Sequence, residues 1–173
     1  MGWSLPAERP AFPKYVIIVA PHTSNWDFVI GILSLFALEI PARWMGKHTI
    51  FRWPFGGIMR KMGGIPVDRR QSVNLVARMV QIFNRQKTFV LGMAPVGTRG
   101  QTGCWKTGFY HIARQAGVPV LPSYIDYRSK SVGFGPPLYP SGDIEADFER
   151  LRSLYRDKVG KKPQNQSEIR PGN

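Results

Sequence analysis

The stretch KYVIIVAPHTSNWD, residues 14–27, decides the fold of this chain, because it joins a strand to the start of a helix. Lys14 to Ala20, with the β-branched run Val16-Ile-Ile-Val19, is typical of a buried strand. Ser24-Asn-Trp-Asp27 has the capping-box pattern S-x-x-D, which predicts that a helix begins here. A buried strand that leads directly into a helix is characteristic of α/β folds.

Strands and helices alternate along the rest of the 173 residues. The further predicted elements are an apolar helix over 27–39, strands at 42–45 and 65–67, a helix from Ser72 to about Gln86, a strand at 88–94, a helix at 105–115 closed by Gly117, a strand at 118–127, an edge strand at 131–134 and a last helix from 141–143 onward. This order predicts a single α/β domain over residues 1–173, with a mixed, largely parallel central sheet flanked by helices. The polar residues 160–173 are predicted to form a flexible basic tail.

The helix predicted over 27–39 is apolar almost all round, so it is either fully enclosed or lies against lipid. The longest apolar stretch, residues 28–41, is shorter than the ~20 residues that a spanning helix needs. The N-terminal residues lack the apolar core of a secretory signal. The single cysteine, Cys104, excludes an intrachain disulfide and fits a reducing compartment. We therefore expect a cytoplasmic protein that does not cross a membrane.

The charge balance points to an anionic partner. Twenty-four Lys and Arg residues stand against eleven Asp and Glu, which gives a formal net charge of +13. An excess of this size favours nucleic acid, an anionic membrane surface or a phosphorylated substrate.

His22 and Asp27 form the first candidate site. On a continuous helix, five residues turn through about 500°, so two helical side chains at this spacing do not face each other. They can meet if His22 follows the strand and Asp27 lies in the first turn of the helix. Two interpretations stay open at this point. Either Asp27 only caps the helix, or its carboxylate fixes the imidazole tautomer so that His22 can take a proton from a substrate hydroxyl.

Four sequence blocks follow one another between residues 15 and 127. They are His22-Thr-Ser-Asn-Trp-Asp27 with H-x4-D spacing, Gly63-Gly-Ile-Pro-Val-Asp-Arg69, Ala94-Pro-Val-Gly-Thr-Arg-Gly100, and the proline-bearing strand Gly117-Val-Pro-Val-Leu-Pro122. In this order and spacing they resemble the glycerolipid acyltransferases, whose best-known members are 1-acylglycerol-3-phosphate (lysophosphatidic acid) acyltransferases. Residues 106–117 also resemble the segment that this family has between its third and fourth blocks.

The resemblance implies transfer of a fatty acyl chain from acyl-coenzyme A or acyl carrier protein to a hydroxyl of a lysophospholipid-like acceptor such as 1-acylglycerol-3-phosphate. By the family pattern, His22 is the general base and Asp27 orients it. No metal and no redox cofactor is implied. The residues expected to bind the phosphate of the acceptor are Lys47, Arg69, Gly97, Thr98 and Arg99. Guanidinium groups suit this task because their planar fork matches a phosphate.

Two departures from the family pattern stand out. The third block is usually F-P-E-G-T-R-S, and this chain has Val96 in the place of the glutamate. A valine cannot accept a hydrogen bond or balance Arg99, so the alternative function is a catalytically impaired, lipid-binding relative. The second departure is length, since many relatives carry additional N-terminal hydrophobic helices. We therefore expect a compact member of the family.

A lipid acceptor requires contact with a membrane, and residues 43–70 fit such contact. This segment holds seven basic residues and one acid, with apolar residues interleaved, namely Phe51, Trp53, Phe55, Ile58, Met59 and Met62. Basic groups attract anionic head groups, and aromatic side chains insert at the interface. We expect peripheral association with the membrane. Nucleic acid is the weaker alternative, because no zinc-finger spacing or RNA-binding motif accompanies the basic charge.

Overall fold

A computed structural model describes residues 2–67 and 74–172 of the chain, and in this part six strands form one sheet. The strands are β1 Lys14–Ala20, β2 Ala42–Lys47, β3 Gly64–Val67, β4 Phe89–Met93, β5 Val120–Asp126 and β6 Ser131–Phe134. Their order across the sheet is β3-β2-β4-β1-β5-β6. The pairings are parallel apart from β6, which runs antiparallel to β5 at one edge. The predicted α/β fold with a mixed, largely parallel sheet is confirmed.

Five α-helices are described alongside these strands. They are α1 Asn25–Ala37, α2 Gly56–Lys61, α3 Leu75–Arg85, α4 Gly108–Ala116 and α5 Ile144–Tyr155. Short 3-10 turns lie at His48–Phe51 and Pro163–Asn165. Ser72, the predicted cap of α3, lies outside the described residues.

The strand β1 is the centre of the core because both of its faces are covered. Val16 and Ile18 lie in a cluster with side chains of α3, α4 and α5, such as Phe83, Phe109 and Phe148. On the opposite face, Tyr15 and Ile17 pack in a second cluster with Leu35 and Leu38, at the end of α1. Helices therefore cover both faces of the sheet, which explains why the run of apolar residues in β1 does not alternate with polar ones.

Helix α1 is neither fully enclosed nor polar on its outer side. Ile32 is buried against Trp44 of β2 and Phe51. The opposite side of α1 carries large apolar side chains that are exposed, namely Trp26, Val29, Leu33 and Phe36. These four residues recur at the spacing of helical turns and form one stripe. In the described part of the chain, no helix has both the length and the apolar character needed to span a bilayer.

Some predicted boundaries were wrong. The helix predicted from Trp105 begins at Gly108, because the carbonyl of Trp105 accepts from the backbone N–H of Gly172 at 2.8 Å and so does not bond to the next helical turn. The predicted end at Gly117 is confirmed, and this glycine adopts the left-handed conformation with φ 64°. Helix α2 was not predicted, since Pro54 and the nearby glycines indicate a loop.

The residues that follow α5 are tied to the body of the domain. Gly160 packs against Pro21 and Thr23, and the backbone N–H of Lys162 donates to Thr23 Oγ1 at 3.1 Å. Ser167 accepts a hydrogen bond from the backbone N–H of Thr102 at 2.9 Å. The tail thus contacts the loops that follow β1 and β4. Its flexibility in solution stays a prediction.

Phe148 of α5 gives a test of this packing. Its side chain is fully buried in the larger cluster, so Phe148→Ala is expected to lower the free energy of unfolding by about 3–5 kcal/mol. Urea unfolding of both proteins at pH 7 measures the difference. The matched control is Phe36→Ala on the exposed stripe of α1, for which a change within about 0.5 kcal/mol is expected. Equal losses for the two variants would contradict this division into core and surface.

Candidate active site

The candidate residues collect at one edge of the sheet because the strands that precede them are parallel. His22 follows β1, Lys47 is the last residue of β2, Gly97 follows β4, and Tyr127 follows β5 directly. The carboxyl ends of parallel strands meet at the same edge, where α/β proteins place their ligand sites. The sheet topology therefore gathers segments that are up to about a hundred residues apart in the sequence.

His22 and Asp27 meet across the turn between β1 and α1. Ser24 is the N-cap of α1, with extended backbone, and its side chain accepts a hydrogen bond from the N–H of Trp26 at 3.2 Å. Asp27 Oδ2 accepts hydrogen bonds from the N–H groups of Thr23 at 2.6 Å and Ser24 at 2.8 Å. The same oxygen lies 3.2 Å from His22 Nδ1. Asp27 thus caps the helix and faces the histidine at once, so the two interpretations of the motif are compatible.

The carboxylate of Asp27 is stabilised in its charged form. Its side chain is 1% exposed, and burial by itself raises the pKa of a carboxyl group. The hydrogen bonds from His22, Ser24, Tyr127 and Thr23 outweigh burial and hold the pKa of Asp27 below its ordinary value. Asp27 is therefore an anion at neutral pH and can support a positive charge on His22.

Tyr127 is a member of this site that the motifs did not indicate. Its hydroxyl donates to Asp27 Oδ1 at 2.8 Å. Burial first, and then the neighbouring Asp27 carboxylate, raise the pKa of the Tyr127 hydroxyl. The tyrosine therefore remains a proton donor at neutral pH. No sequence motif indicates this contact, because Tyr127 and Asp27 are brought together only by the pairing of β1 with β5.

The third block forms a turn after β4. Gly97 adopts the left-handed conformation with φ 65°, and its N–H donates to the carbonyl of Ala94 at 3.0 Å. Thr98 and Arg99 follow on the exposed side of the turn. A Cβ placed at Gly97 would lie 3.6 Å from Lys106 Nζ. Sequence reasoning assigned no role to Lys106, but the structure puts its cation beside the predicted phosphate-binding turn.

Val96 faces the interior of the domain. It is buried in the larger apolar cluster and lines a cavity of about 30 Å³ together with His22, Trp105, Tyr155 and Ser167. A cavity of this size holds at most a water molecule. The position that carries glutamate in the family pattern is therefore close to His22 here, but it offers no polar atom.

Of the two remaining predicted phosphate-binding residues, the structure describes one. Lys47 is exposed at the end of β2, on the edge that carries His22. Arg69 lies outside the described residues. Within residues 2–67 and 74–172, no three side chains of His, Cys, Asp or Glu cluster in the manner of metal ligands. That the site works without metal or cofactor stays a prediction.

Comparisons with known proteins all point to one family. The profile of the family described as Acyltransferase matches residues 8–126. The 1-acyl-sn-glycerol-3-phosphate acyltransferase of Borreliella burgdorferi is 26% identical over 168 residues, which cover 85% of this chain and 65% of that protein. The protein of the same name from Escherichia coli is 27% identical over 122 residues, which cover 67% of this chain and 49% of that protein. The chain thus spans between about half and two thirds of the length of these relatives.

A solved structure shows the same fold. The 1-acyl-sn-glycerophosphate acyltransferase of Thermotoga maritima superposes with a TM-score of 0.59 and 17% sequence identity, over 88% of this chain and 70% of that one. The profile match covers more than half of the 173 residues and includes all four sequence blocks. Three of these blocks lie entirely within the residues that the structure describes. The chain therefore belongs to the acyltransferase family.

Proposed function

We propose that this protein transfers a fatty acyl chain from an acyl thioester, acyl-coenzyme A or acyl carrier protein, to the free hydroxyl of 1-acylglycerol-3-phosphate or a similar lysophospholipid. The observation that carries the proposal is the pairing of His22 with the buried Asp27 carboxylate, at 3.2 Å, on the edge of the sheet that also carries Arg99. The names of the relatives supply the acceptor class.

His22 acts as the general base. Because Nδ1 faces Asp27, Nε2 is the nitrogen that takes the proton of the acceptor hydroxyl. The hydroxyl oxygen then attacks the thioester carbonyl carbon, and a tetrahedral intermediate forms. When the carbon–sulfur bond breaks, the thiolate leaves and takes the proton back from the His22 imidazolium. The products are an ester and a free thiol, and no acyl-enzyme is formed.

The acceptor phosphate is held by cations around the turn after β4. Arg99 is exposed and available for a bidentate contact. Lys106 Nζ lies beside Gly97 and adds a second positive charge. Thr98 supplies a hydroxyl donor, and Arg69 and Lys47 complete the proposed set.

A catalytically impaired, lipid-binding protein is the second candidate. Val96 favours it, because an apolar side chain lies beside His22 where the family pattern has an acid. Such a protein binds lysolipid and membrane but releases no thiol.

The acceptor is an amphiphile, and we propose that the protein reaches it from the membrane surface through one apolar face. This face consists of the α1 stripe and of the exposed side chains of the segment before and within α2, which are Ile50, Trp53, Phe55 and Ile58. Helix α1 and this segment are joined by the buried contact of Ile32, Trp44 and Phe51. Phe51 is therefore core and not a membrane contact, unlike the expectation from sequence.

The same part of the chain carries exposed basic residues, including Arg43, Arg52, Arg60 and Lys61. Exposed apolar area of this kind is unusual in a monomeric soluble protein. Combined with cations, it suits a surface of anionic lipid. Trp26, at the start of the stripe, is only four residues from His22, so docking in this way brings the site to the lipid.

The catalytic proposal is tested with His22→Ala. Release of free thiol from acyl-coenzyme A and from acyl carrier protein is measured with 1-acylglycerol-3-phosphate as acceptor. The unchanged protein is expected to release thiol only when the acceptor is present. The variant is expected to lose about 10²–10⁴-fold in rate, because the base is removed. His111→Ala on α4 is the control and keeps the rate. Acceptor-dependent binding without any thiol release would favour the impaired relative.

The phosphate contact is tested with Arg99→Ala. A hydrogen bond to a charged group contributes about 1.5–3 kcal/mol, so the KM for 1-acylglycerol-3-phosphate is expected to rise about 10–100-fold. With monoacylglycerol, which lacks the phosphate, the rate is expected to stay the same. Arg85→Ala at the end of α3 is the control for general loss of positive charge. An equal effect of Arg99→Ala on both acceptors would show that the guanidinium does not bind the phosphate.

Membrane docking is tested by flotation with vesicles of anionic or zwitterionic phospholipid. Trp53 is 93% exposed, so Trp53→Ala should leave the fold intact. Each large apolar side chain that enters lipid contributes roughly 1.5–3 kcal/mol. The partition coefficient onto anionic vesicles is therefore expected to fall about 10–100-fold. Tyr139→Ala is the matched control on an exposed residue outside the face. If Trp53→Ala and Tyr139→Ala bind equally well, the proposed face is not the docking surface.

A further inference from the structure

We propose that Tyr127 is a positioning residue for the pair His22–Asp27, acting through the second oxygen of the Asp27 carboxylate. This inference rests on the proposed function for its kinetic consequences. The hydrogen bond between Tyr127 and Asp27 does not depend on that function.

The two oxygens of Asp27 have different partners. Oδ2 accepts from the N–H groups of Thr23 and Ser24 and faces His22 Nδ1. Rotation about the bond to Cβ moves both oxygens, so the contacts at Oδ2 limit this rotation and a contact at Oδ1 limits it further. The hydroxyl of Tyr127 binds Oδ1 at 2.8 Å and so fixes the plane of the carboxylate. With this plane fixed, Oδ2 stays aimed at the imidazole, and the ring stays in one orientation.

Tyr127 can serve as an anchor because the chain around it is held on several sides. Its backbone N–H donates to the carbonyl of Val159 at 2.8 Å. The rings of Trp3 and Tyr127 pack edge to face, with their centroids 5.0 Å apart. The neighbouring Asp126 is buried, and its carboxylate accepts from the N–H groups of Arg128 and Val159 and from Ser129 Oγ. The turn after β5 is thus a rigid support.

The hydrogen bond also changes the charge that His22 meets. A donor on Oδ1 draws negative charge away from Oδ2 and makes that oxygen a weaker partner for an imidazolium. Without the Tyr127 hydroxyl, Oδ2 is still held near His22 by Thr23 and Ser24, and it carries more of the charge. The imidazolium of His22 is then more stable, so the histidine loses its proton at a higher pH.

Other titratable and charged groups around the pair come from three elements. Tyr155 of α5 lines the cavity beside His22, and its hydroxyl donates to the carbonyl of Ser123 at 3.1 Å. Lys161 of the tail lies over the ring of Trp26 at 4.9 Å, and Lys158 lies over the ring of Tyr124 at 4.2 Å. Asp126 is engaged in the turn after β5. None of these is altered when the Tyr127 hydroxyl is removed, so the effect on His22 comes through Asp27.

Tyr127→Phe tests the proposal, since it keeps the ring against Trp3 and removes only the hydroxyl. In the thiol-release assay, kcat is expected to fall about tenfold with little change in KM, because one hydrogen bond to a charged group is lost and the substrate is not touched. The acidic limb of the pH profile is expected to move to higher pH. Tyr139→Phe, an exposed tyrosine outside the site, is the matched control and leaves both unchanged.

A second readout does not depend on turnover. The chain has three histidines, so the imidazole signals in NMR are assigned with single His→Asn variants. Titration of His22 is expected to show a midpoint at higher pH in Tyr127→Phe than in the unchanged protein. An unshifted midpoint together with a kcat within twofold of the unchanged protein would overturn the proposal. If the unchanged protein releases no thiol, the transferase function fails, and the His22 titration alone decides the role of Tyr127.

Discussion

The parallel pairing of β1 with β4 on one side and β5 on the other is the constraint on which the rest of the structure depends. Ile18 pairs with Met93 and Ala20 pairs with Tyr124, so the carboxyl ends of the three strands lie on the same edge of the sheet. The turns that follow them therefore meet at one edge of the sheet. The residues that follow each strand supply a different part of the site: a histidine with its carboxylate, a cationic turn, and a tyrosine. A shift of one residue in either pairing would move these parts out of line with one another.

Asp27 shows how folding and function share one side chain. A carboxylate that is almost fully buried needs several donors, because an unpaired buried charge is strongly destabilising. Two backbone N–H groups before α1 supply part of this need, and that of the N-cap Ser24 is a group that a helix leaves without a partner inside itself. The same bonds hold the carboxylate within reach of His22. Local helix capping is therefore what positions the charge for the proposed chemistry.

The sequence predicted the elements whose cause is local. The bounds of β1 agree because its β-branched run is uninterrupted, and the start of α1 agrees because the capping box lies within four residues. Features with a distant cause could not be predicted. Tyr127 reaches Asp27 only through the sheet, Lys106 reaches Gly97 only through the fold of its loop, and Trp105 leaves its predicted helix to pair with the tail. The sequence also does not show which side of α1 is exposed, because large apolar side chains lie on the exposed side as well as on the covered side.

The support of Tyr127 has a consequence for the order in which the protein is assembled. Trp3 packs on its ring, and Val159 binds its backbone, so the contacts join segments from opposite ends of the sequence. Contacts between such distant segments are slow to form, because a long loop must close before they contribute any free energy. During synthesis, a chain that has not yet reached Val159 can form β1 and the capped start of α1 but lacks this anchor. His22 and Asp27 can therefore meet before their final alignment is reached, and the geometry of the site is completed only after Val159 has left the ribosome.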